Sequence, residues 1–487
     1  MNLPKKEIAL LLVIVLFASF WRFYNYENRW TLHQDQARDA VIGLYAIEIR
    51  QLPLLGPPSS AGDFSFGPLY YWIIIVFIVV LPFINGPWIG FTLLSLFSVI
   101  IFFCIGKHIG GLSFATVLGL ISAFASASIF YSPDMLNPML LAFFVPLSFL
   151  AMTLSLKSEK LAYPIILGFG VAANINFHLQ GLGLILLLIL ALIFKKSQKI
   201  KTGLGIILGF LIAFGPLIYF DLKNNGIWIK GIFEYLIVGQ NKFNLSYSWI
   251  NDLKDFWPNL WGEVITNIPI SGYFFVGLFI LAFTLTFRSK EFSKSFWVIF
   301  LTFLSYIVIL RYYKGPRLPV YLILQYPFII FLVSWSLWRM WAINKVLGIL
   351  LLLSILSFSA YSNLKIINTS SQTPSIFALK QEIEKIKKGD KQVYSYRGSY
   401  GVSLPLYYLW LKEKKISSEG DKIGICEYSI ERDTNSFDYI INCPANENLI
   451  LSLGKYKVFD LNNQNNLGAL DYLTSEKIYS WINKSKE

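Results

Sequence analysis

The chain has 487 residues, of which 55% are hydrophobic, 17% aromatic and only 15% charged. Soluble globular proteins carry about 25% charged residues, so this composition excludes a soluble globule and indicates a polytopic membrane protein. The formal net charge of +13 does not indicate nucleic-acid binding, because the Lys and Arg residues fall in short clusters between apolar runs, as the positive-inside rule requires.

The amino-terminal segment begins with Lys5 and Lys6 and continues as an apolar stretch. No small-residue cleavage site precedes the bulky Trp21-Arg22-Phe23-Tyr24 sequence, so a cleaved signal peptide is not expected. We interpret the segment as a retained first membrane span.

Eleven apolar runs predict about eleven membrane-spanning helices, some of them short for a hydrocarbon core of ~30 Å. They cover residues 8–24, 87–105, 112–131, 139–156, 162–177, 182–194, 203–220, 272–287, 296–310, 318–337 and 346–361.

A further apolar run, YYWIIIVFIVVL, lies between Pro68 and Pro82. If this run spans the membrane, the basic loops between the later spans all lie on the side opposite Lys5 and Lys6; if it does not, they all lie on the same side as Lys5 and Lys6. The second arrangement satisfies the positive-inside rule, so we predict an interfacial or re-entrant helix. The amino terminus is then cytoplasmic, and the loop 25–86 and everything after Ser362 lie outside.

The composition turns polar after Ser362, where 17 Lys and Arg face 15 Asp and Glu and contribute only +2 of the net charge. Residues 375–388 have helical periodicity, and KQVYSY, KIGICEY, FDYIINC and KYKVFDL are short β-prone runs. These features predict a transmembrane part over residues 1–361 and a small α/β extracytoplasmic domain over residues 362–487.

The three cysteines do not form a metal framework. Cys104 lies in an apolar run, whereas Cys426 and Cys443 lie in two adjacent predicted strands. Outside the cytoplasm these two can form a disulfide; two buried thiols are the alternative.

An acidic segment in the first outer loop gathers His33, Asp35, Arg38 and Asp39. Asp35 and Asp39 are one helical turn apart, so a helix over 35–50 would carry both carboxylates on one face with Arg38 between them. A solvated, salt-bridged surface helix is the plainer interpretation. Ionisable groups held against a bilayer nevertheless indicate function.

The same outer loop continues as GPPSSAGDFSFGPLYYW, which contains Asp63, Tyr70 and Tyr71. Its glycines allow close approach of the backbone to a ligand, and its aromatic side chains offer stacking faces. This composition is typical of a site that holds a sugar or a lipid headgroup.

The predicted topology also places Asp134, Asn137 and His178 on the outer side. Together with the first outer loop they would form one outer vestibule. Asp134 can alternatively cap the helix that follows it, and His178 can be a partnered interfacial histidine without a ligand.

The segment RYYKGPRLPVY at 311–321 places Lys314, Arg317 and Tyr321 on the outer side, against the inward bias of the other basic residues. Cations at this depth suit a lipid phosphate. Side chains that snorkel from a helix end are the alternative.

Several familiar catalytic motifs do not occur. The sequence contains no P-loop, GxSxG, HExxH or CxxC, so nucleotide hydrolysis, serine-based acyl transfer and zinc proteolysis lack support. The candidate chemistry is therefore carried by carboxylates.

The sequence resembles the GT-C glycosyltransferases in its motifs DQARDA, LPLLGPP, GDF and GPLYYW, followed by many spans and an extracytoplasmic domain. More narrowly, residues 1–340 resemble bacterial relatives of protein O-mannosyltransferases and of lipid A aminoarabinose transferases, which use polyprenyl-phosphate sugars. The resemblance places the family's catalytic carboxylate at Asp35, with Asp39 close by. Family members usually have Asp-Glu there, and this chain has Gln36, so Asp39 or Asp63 would have to compensate.

The resemblance also implies an interfacial helix after Gly67-Pro68, a second acidic outer loop at Asp134 and Asn137, and contact of Lys314, Arg317 and Tyr321 with the lipid phosphate. Hard oxygen ligands from Asp35 and Asp134 would suit Mg²⁺ or Mn²⁺, although Gln36 removes a neighbouring acid.

The resulting hypothesis is a glycosyltransferase of the cytoplasmic membrane that moves a sugar from a polyprenyl phosphate to a lipid, glycan or protein hydroxyl outside. A lipid or solute transporter or flippase, and a non-catalytic membrane scaffold, are the alternatives. A transporter would place charges within its spans and show internal repeats, and the sequence has almost no charges there and no evident repeat.

Overall fold

The computed structural model describes residues 4–60, 62–239, 248–289, 291–313, 317–369, 374–396, 400–427, 448–453, 456–463 and 470–482. Its α-helices are α1 (Lys5–Phe23), α2 (Gln34–Glu48), α3 (Leu69–Val80), α4 (Gly86–Phe124), α5 (Ser126–Phe130), α6 (Leu141–Lys157), α7 (Ala162–Phe177), α8 (Ile185–Phe194), α9 (Lys199–Lys223), α10 (Ile227–Phe233), α11 (Trp249–Asn251), α12 (Trp257–Thr266), α13 (Ser271–Ser289), α14 (Lys294–Tyr312), α15 (Gln325–Ile343), α16 (Lys345–Thr369), α17 (Pro374–Ile386), α18 (Tyr400–Lys412) and α19 (Ser475–Ser480).

Most of the described chain is helical, and each of the eleven predicted apolar runs contains helix. Within the described residues, seven segments are long and apolar enough to cross a membrane: α4, Asn137–Lys157, α9, α13, α14, α15 and α16. The helix α7 and the segment Leu179–Phe194 are apolar but shorter. The predicted class of polytopic helical membrane protein is confirmed, and the number of eleven spans stays a prediction.

The longest segment, α4, is two helices joined at Gly110 and Gly111. Gly111 has φ +74° and ψ −161°, a conformation that glycine adopts far more readily than other residues. A Cβ on Gly106 would lie 2.6 Å from the Cα of Ala115, whereas nine residues of straight helix would separate them by about 13.5 Å. The chain therefore reverses at the two glycines, as the separate runs 87–105 and 112–131 predict.

The helix α3 contains the extra apolar run whose placement decided the predicted topology. Its 12 residues give a length of about 18 Å, well below the ~30 Å of a hydrocarbon core. This length agrees with an interfacial or re-entrant helix. The orientation of the chain in the membrane stays a prediction.

The chain divides into two compact units. The first unit comprises Met1–Tyr26, Leu54–Tyr70 and Trp88–Ser370, and the second comprises Glu27–Pro53, Tyr71–Pro87 and Ser371–Glu487. The second unit thus contains both the carboxy-terminal sheet and most of the helices of the first outer loop. The predicted domain boundary between residues 361 and 362 stays a prediction.

The second unit contains a five-stranded sheet of β1 (Lys391–Tyr396), β2 (Asp421–Glu427), β3 (Leu449–Leu453), β4 (Tyr456–Asp460) and β5 (Leu470–Tyr472). The strand order is β3-β4-β2-β1-β5; β1 and β2 are parallel and the other pairs antiparallel. Every residue of β1 is buried. The small α/β domain is therefore present.

Three of the four predicted β-prone runs form strands, and the run FDYIINC lies outside the described residues. Cys426 lies in β2, is fully buried and is engaged in a disulfide. Its predicted partner, Cys443, also lies outside the described residues, so the pairing stays a prediction.

Candidate active site

The structure distributes the predicted site residues between the two units. His33, Asp35, Arg38, Asp39 and Tyr71 belong to the second unit. The first unit contains Asp63, Tyr70, Asp134, Asn137, His178, Arg317 and Tyr321. Lys314 lies outside the described residues.

The two carboxylates of α2 are joined by Arg38. Its Nε donates to Oδ1 of Asp39 at 2.8 Å, and its Nη1 donates to Oδ1 of Asp35 at 2.8 Å. The hydroxyl of Tyr71, on α3, donates to the same Oδ1 of Asp39 at 3.0 Å. The four side chains therefore form one hydrogen-bonded chain from Tyr71 to Asp35.

The two carboxylates differ strongly in exposure. The side chain of Asp39 is 2% exposed and that of Arg38 15%, whereas that of Asp35 is 52% exposed. Burial, and then the charge of Asp39, raise the pKa of Tyr71 well above its ordinary value, so Tyr71 stays a neutral donor. Asp39 is therefore the buried carboxylate of the pair, and Asp35 is the carboxylate that is exposed.

Gln36, which stands where the resemblance implies Glu, closes the first turn of α2. It is fully buried; its Oε1 accepts from the His33 backbone N–H at 3.2 Å, and its Nε2 donates to Thr31 Oγ1 at 3.1 Å. A neutral amide suits this position because an ionised carboxylate would lose its hydration there. His33 itself is exposed at the start of the helix.

The helix α2 is held on two sides within the second unit. A Cβ on Gly43 would lie 2.7 Å from Cδ1 of Ile78 and 3.0 Å from Cγ2 of Ile74, so α3 packs closely against it. The helix also packs on α18 and α19, where the rings of Tyr45 and Tyr479 lie 5.3 Å apart. The helix that presents Asp35 thus lies on the carboxy-terminal domain.

The predicted outer loops of the first unit lie together. The Gly67 N–H donates to the Asn176 carbonyl at 2.7 Å, and a Cβ on Gly67 would lie only 1.7 Å from Asn176 Oδ1. The Tyr70 hydroxyl donates to the Met135 carbonyl at 3.1 Å, and Asn137 Nδ2 donates to the Phe177 carbonyl at 2.6 Å. The first-loop motif, the 132–138 turn and the end of α7 therefore meet.

A stack of three rings lies beside this junction. The His178 imidazole is stacked between Phe66, at 5.1 Å, and Tyr321, at 5.3 Å between ring centroids. Its Nδ1 accepts from the Gln180 N–H at 3.3 Å. Burial lowers the pKa of His178 to about 4, so the imidazole is neutral at pH 7. These contacts fit the alternative of a partnered histidine, and a binding role for His178 and Tyr321 stays a prediction.

Arg317 has a close acidic partner that the sequence analysis did not identify. Its Nη1 and Nη2 donate to Oδ1 and Oδ2 of Asp252 at 2.6 and 3.0 Å, and both side chains are largely buried. The guanidinium also lies 4.8 Å from the ring centroid of Phe256. A phosphate at Arg317 would have to share or displace Asp252.

The two remaining acidic residues of the first unit have different settings. Asp63 is exposed in the loop. The N–H of Asp134 donates to the Tyr131 carbonyl at 3.2 Å and closes a turn. The alternative that Asp134 caps the following helix is wrong, because the 3₁₀ turn Asn137–Leu140 begins after Leu136 and α6 after Leu140.

The donor set does not fit a dedicated metal site. Across the part of the chain that the structure describes, no three His, Cys, Asp or Glu side chains lie together as a metal would need. Asp35 and Asp134 belong to different units, and Asp35 is already paired with Arg38. The described residues therefore give no support to the Mg²⁺ or Mn²⁺ bridge expected at Asp35 and Asp134.

Three structurally important residues were missed by sequence reasoning: Gln36, Asp252 and Phe66. Gln36 was noted only as a departure from an acidic pair, although it lies three residues after His33, at the N3 position of α2, where Glu or Gln completes a capping box. Asp252 is 65 residues from Arg317, and no local pattern connects the two. Phe66 was counted only among the aromatic residues of its loop.

The fold is similar to that of ArnT from Cupriavidus metallidurans. The apo structure of ArnT is 12% identical, with a TM-score of 0.60 over 86% of this chain and 93% of that chain. The structure of ArnT bound to undecaprenyl phosphate is 13% identical, with a TM-score of 0.59 over 87% and 94%. The chain therefore has an ArnT-like fold, and its membership of the GT-C glycosyltransferases stays a prediction.

A weaker likeness is to the apo oligosaccharyltransferase of Archaeoglobus fulgidus, at 10% identity and a TM-score of 0.48, over 78% of this chain and 58% of that chain. No protein-family model and no curated protein sequence matches the chain.

Proposed function

We propose that this protein is a membrane glycosyltransferase that moves a sugar from a polyprenyl-phosphate donor to an acceptor hydroxyl on the extracytoplasmic side. The observation that carries the proposal is the exposed Asp35 carboxylate, fixed through Arg38 to the buried Asp39 and Tyr71. The ArnT-like fold and the undecaprenyl phosphate bound to ArnT support this class of reaction and donor.

In the proposed reaction, Asp35 is the general base. Arg38 occupies Oδ1 of Asp35, so Oδ2 is the oxygen that accepts the acceptor's hydroxyl proton. The acceptor oxygen then forms a bond to the anomeric carbon as the bond from that carbon to the phosphate oxygen breaks. The phosphate leaves with the electron pair. A single displacement of this kind inverts the configuration at the anomeric carbon.

The buried part of the hydrogen-bonded chain would keep the Asp35 carboxylate oriented. Arg38 cannot lose its proton at physiological pH, and Asp39 holds it in place from the buried side. A positioned carboxylate base typically contributes about 10²- to 10⁴-fold to rate. Asp39 is thus proposed as a support for the catalytic residue, with Asp35 as the group that touches the acceptor.

Lys314 and Arg317 are proposed to bind the donor phosphate. The guanidinium of an Arg can donate two parallel hydrogen bonds to the oxygens of an anionic phosphate. Asp252 holds the Arg317 guanidinium in position before the donor binds. Binding would then exchange one anionic partner of Arg317 for another. Loss of Arg317 should weaken donor use more than acceptor use.

Native mass spectrometry of the purified full chain tests the proposed donor class. We expect a co-purifying polyprenyl phosphate or its glycosylated form, with occupancy reduced at least fivefold by Arg317→Gln. The matched control is Lys254→Gln, which removes an exposed cation close in sequence to Asp252. Carriage of bulk phospholipids alone, or equal loss in both variants, would contradict the proposal.

A further inference from the structure

The outer segment after α9 exposes a row of large apolar side chains. It consists of α10 and the π-helical turn Glu234–Val238. Ile229, Phe233 and Ile237 are 58%, 63% and 60% exposed. Their spacing of four residues places them along one side of a helical segment, over a length of about 12 Å.

The opposite side of this segment packs against the loop that contains Asp63. The indole N–H of Trp228 donates to the Ser65 carbonyl at 2.8 Å. A Cβ on Gly231 would lie 2.4 Å from the Asp63 carbonyl oxygen. The ring of Tyr235 lies 5.2 Å from that of Phe64. At about 100° per residue, Trp228, Gly231 and Tyr235 lie nearly opposite the exposed row.

The loop that contains Asp63 has internal backbone hydrogen bonds. The Gly56 N–H donates to the Phe66 carbonyl at 2.8 Å, the Phe66 N–H to Pro57 at 2.9 Å and the Ser59 N–H to Phe64 at 2.8 Å. Residues 56–59 and 64–66 are therefore paired as a small hairpin, and displacement of the helical segment would be transmitted to this pairing.

We propose that α10 and its π-helical turn are a membrane-surface helix, which inserts Ile229, Phe233 and Ile237 into the outer boundary of the lipid and holds the Asp63 hairpin at headgroup depth. The partner is the lipid bilayer. An amphipathic helix that lies in the interface buries its apolar side about 5–10 Å into the headgroup and acyl boundary.

The continuity of the apolar surface with α9 favours lipid as the partner. α9 is long and apolar enough to span the membrane, and the exposed side chains close to its end include Ile218, Tyr219 and Leu222. Gly226, with φ +74°, makes the turn from α9 into α10. The exposed row thus follows directly from a surface that already faces lipid.

The size and the charges of the surface also favour lipid over a protein partner. A row of three side chains is much smaller than the roughly 1,000 Å² that a stable protein interface requires. Lys230 and Glu234 are exposed beside the row, which is the arrangement expected where a helix meets headgroups and water.

Nitroxide accessibility in the full chain tests the insertion. Cysteines would replace Ile229, Phe233 and Ile237 one at a time, in a Cys104→Ala background, because Cys104 is a free thiol and Cys426 is in a disulfide. The labelled protein would be placed in nanodiscs of phosphatidylcholine and phosphatidylglycerol. Leu208→Cys on α9 is the lipid-facing control, and Glu419→Cys in the carboxy-terminal domain is the water-facing control.

We expect the three labels to collide with oxygen in preference to a water-soluble nickel chelate, as the label at position 208 does. Preference for the nickel chelate would show a solvated helix and overturn the proposal. Low accessibility to both reagents would show a protein partner or a second copy on this surface, which would also overturn it. None of these results depends on the proposed enzymatic activity.

Hydrogen exchange tests the connection to the Asp63 hairpin. Phe233→Asp places a charge in the row, whereas Phe233→Leu keeps it apolar. We expect the amides of Gly56, Ser59 and Phe66 to exchange at least fivefold faster in the Asp variant and at an unchanged rate in the Leu variant. Equal exchange in both variants would overturn the role of this helix as the support of the hairpin.

Discussion

Asp39 and Asp35 lie one helical turn apart, yet we expect their replacement to affect different properties. Replacing Asp39 should lower the stability of the protein, and replacing Asp35 should lower its activity. Asp39 accepts hydrogen bonds from Arg38 and Tyr71 in a buried position, so Asp39→Asn leaves a largely buried guanidinium without its internal counter-charge. Breaking one side of a buried ion pair costs about 3–5 kcal/mol. Since Arg38 is partly exposed and the Asn amide keeps an acceptor oxygen, we expect about 3 kcal/mol.

Asp35→Asn removes a surface pair, because half of the Asp35 side chain is exposed. Such pairs contribute at most about 1 kcal/mol, so the fold should be preserved. The expected signature is therefore a large loss of stability with Asp39→Asn and a large loss of activity without loss of stability with Asp35→Asn.

Thermal unfolding of the purified chain in detergent, followed by Trp fluorescence, measures the difference. The second unit contains about 160 residues, and 1 kcal/mol shifts the midpoint of a domain of that size by about 2–4 °C. Asp39→Asn should thus lower the midpoint by roughly 6–12 °C. Tyr71→Phe, which removes the hydroxyl donor to Asp39, should cause about half of this change. Equal midpoints for Asp39→Asn and Asp35→Asn would refute the assignment of the two roles.

Three further predictions concern the surrounding structure. Burial lowers the pKa of His178 from 6.5 to about 4, so between these pH values the unfolded chain binds more protons than the folded chain. The free energy of unfolding should therefore be unaffected by His178 above about pH 6.5 and should be lower by about 2 kcal/mol at pH 5. His178→Phe should remove most of that fall in a pH series of unfolding midpoints, and an unchanged series would contradict it. Gly43→Ala should leave the free energy of unfolding nearly unchanged, because the higher helix propensity of Ala offsets the crowding of Ile74 and Ile78. Gly43→Leu should lower the free energy of unfolding by about 1–3 kcal/mol, because the larger side chain does not fit against α3. Equal effects of the two variants would argue against the close packing of α2 on α3. Gly67→Ala should lower the yield of folded protein because its Cβ would overlap Oδ1, Cγ and Cβ of Asn176. Asn176→Gly in the same chain removes all three atoms and should restore part of the yield; size-exclusion profiles without such rescue would contradict the contact.

Much of the fold follows from local sequence features. Apolar runs identified the membrane helices, because burying a hydrogen-bonded helix is the main way for such a run to lie in lipid. The helix predicted over 375–388 is observed as Pro374–Ile386, and that over 35–50 as Gln34–Glu48. The strands β3 and β5 and the helix α18, which contains Pro405, were not predicted, because short or proline-interrupted segments depend on tertiary contacts for their stability.

Less of the candidate site follows from the sequence alone. The spacing of Asp35, Arg38 and Asp39 predicted one helical face, but it could not show that Tyr71 makes Asp39 the buried member of the pair. The Arg317–Asp252 pair and the Phe66–His178–Tyr321 stack join segments that are distant in the chain. Such contacts arise from packing of the whole unit and leave no periodic signal in the sequence.

The most direct test of the proposed function is transfer of label from a lipid-linked sugar to an extracytoplasmic acceptor in membranes that contain equal amounts of wild-type or Asp35→Asn protein. The donor would be a metabolically labelled polyprenyl-phosphate sugar fraction, with Glu419→Gln as a matched carboxylate control on the exposed surface of the carboxy-terminal domain. We predict that wild type and Glu419→Gln transfer label with inversion, and that Asp35→Asn transfers at least tenfold less. Near-normal transfer by Asp35→Asn would contradict the role of Asp35, and absence of transfer by the wild-type protein from every polyprenyl-phosphate sugar would contradict the proposed activity.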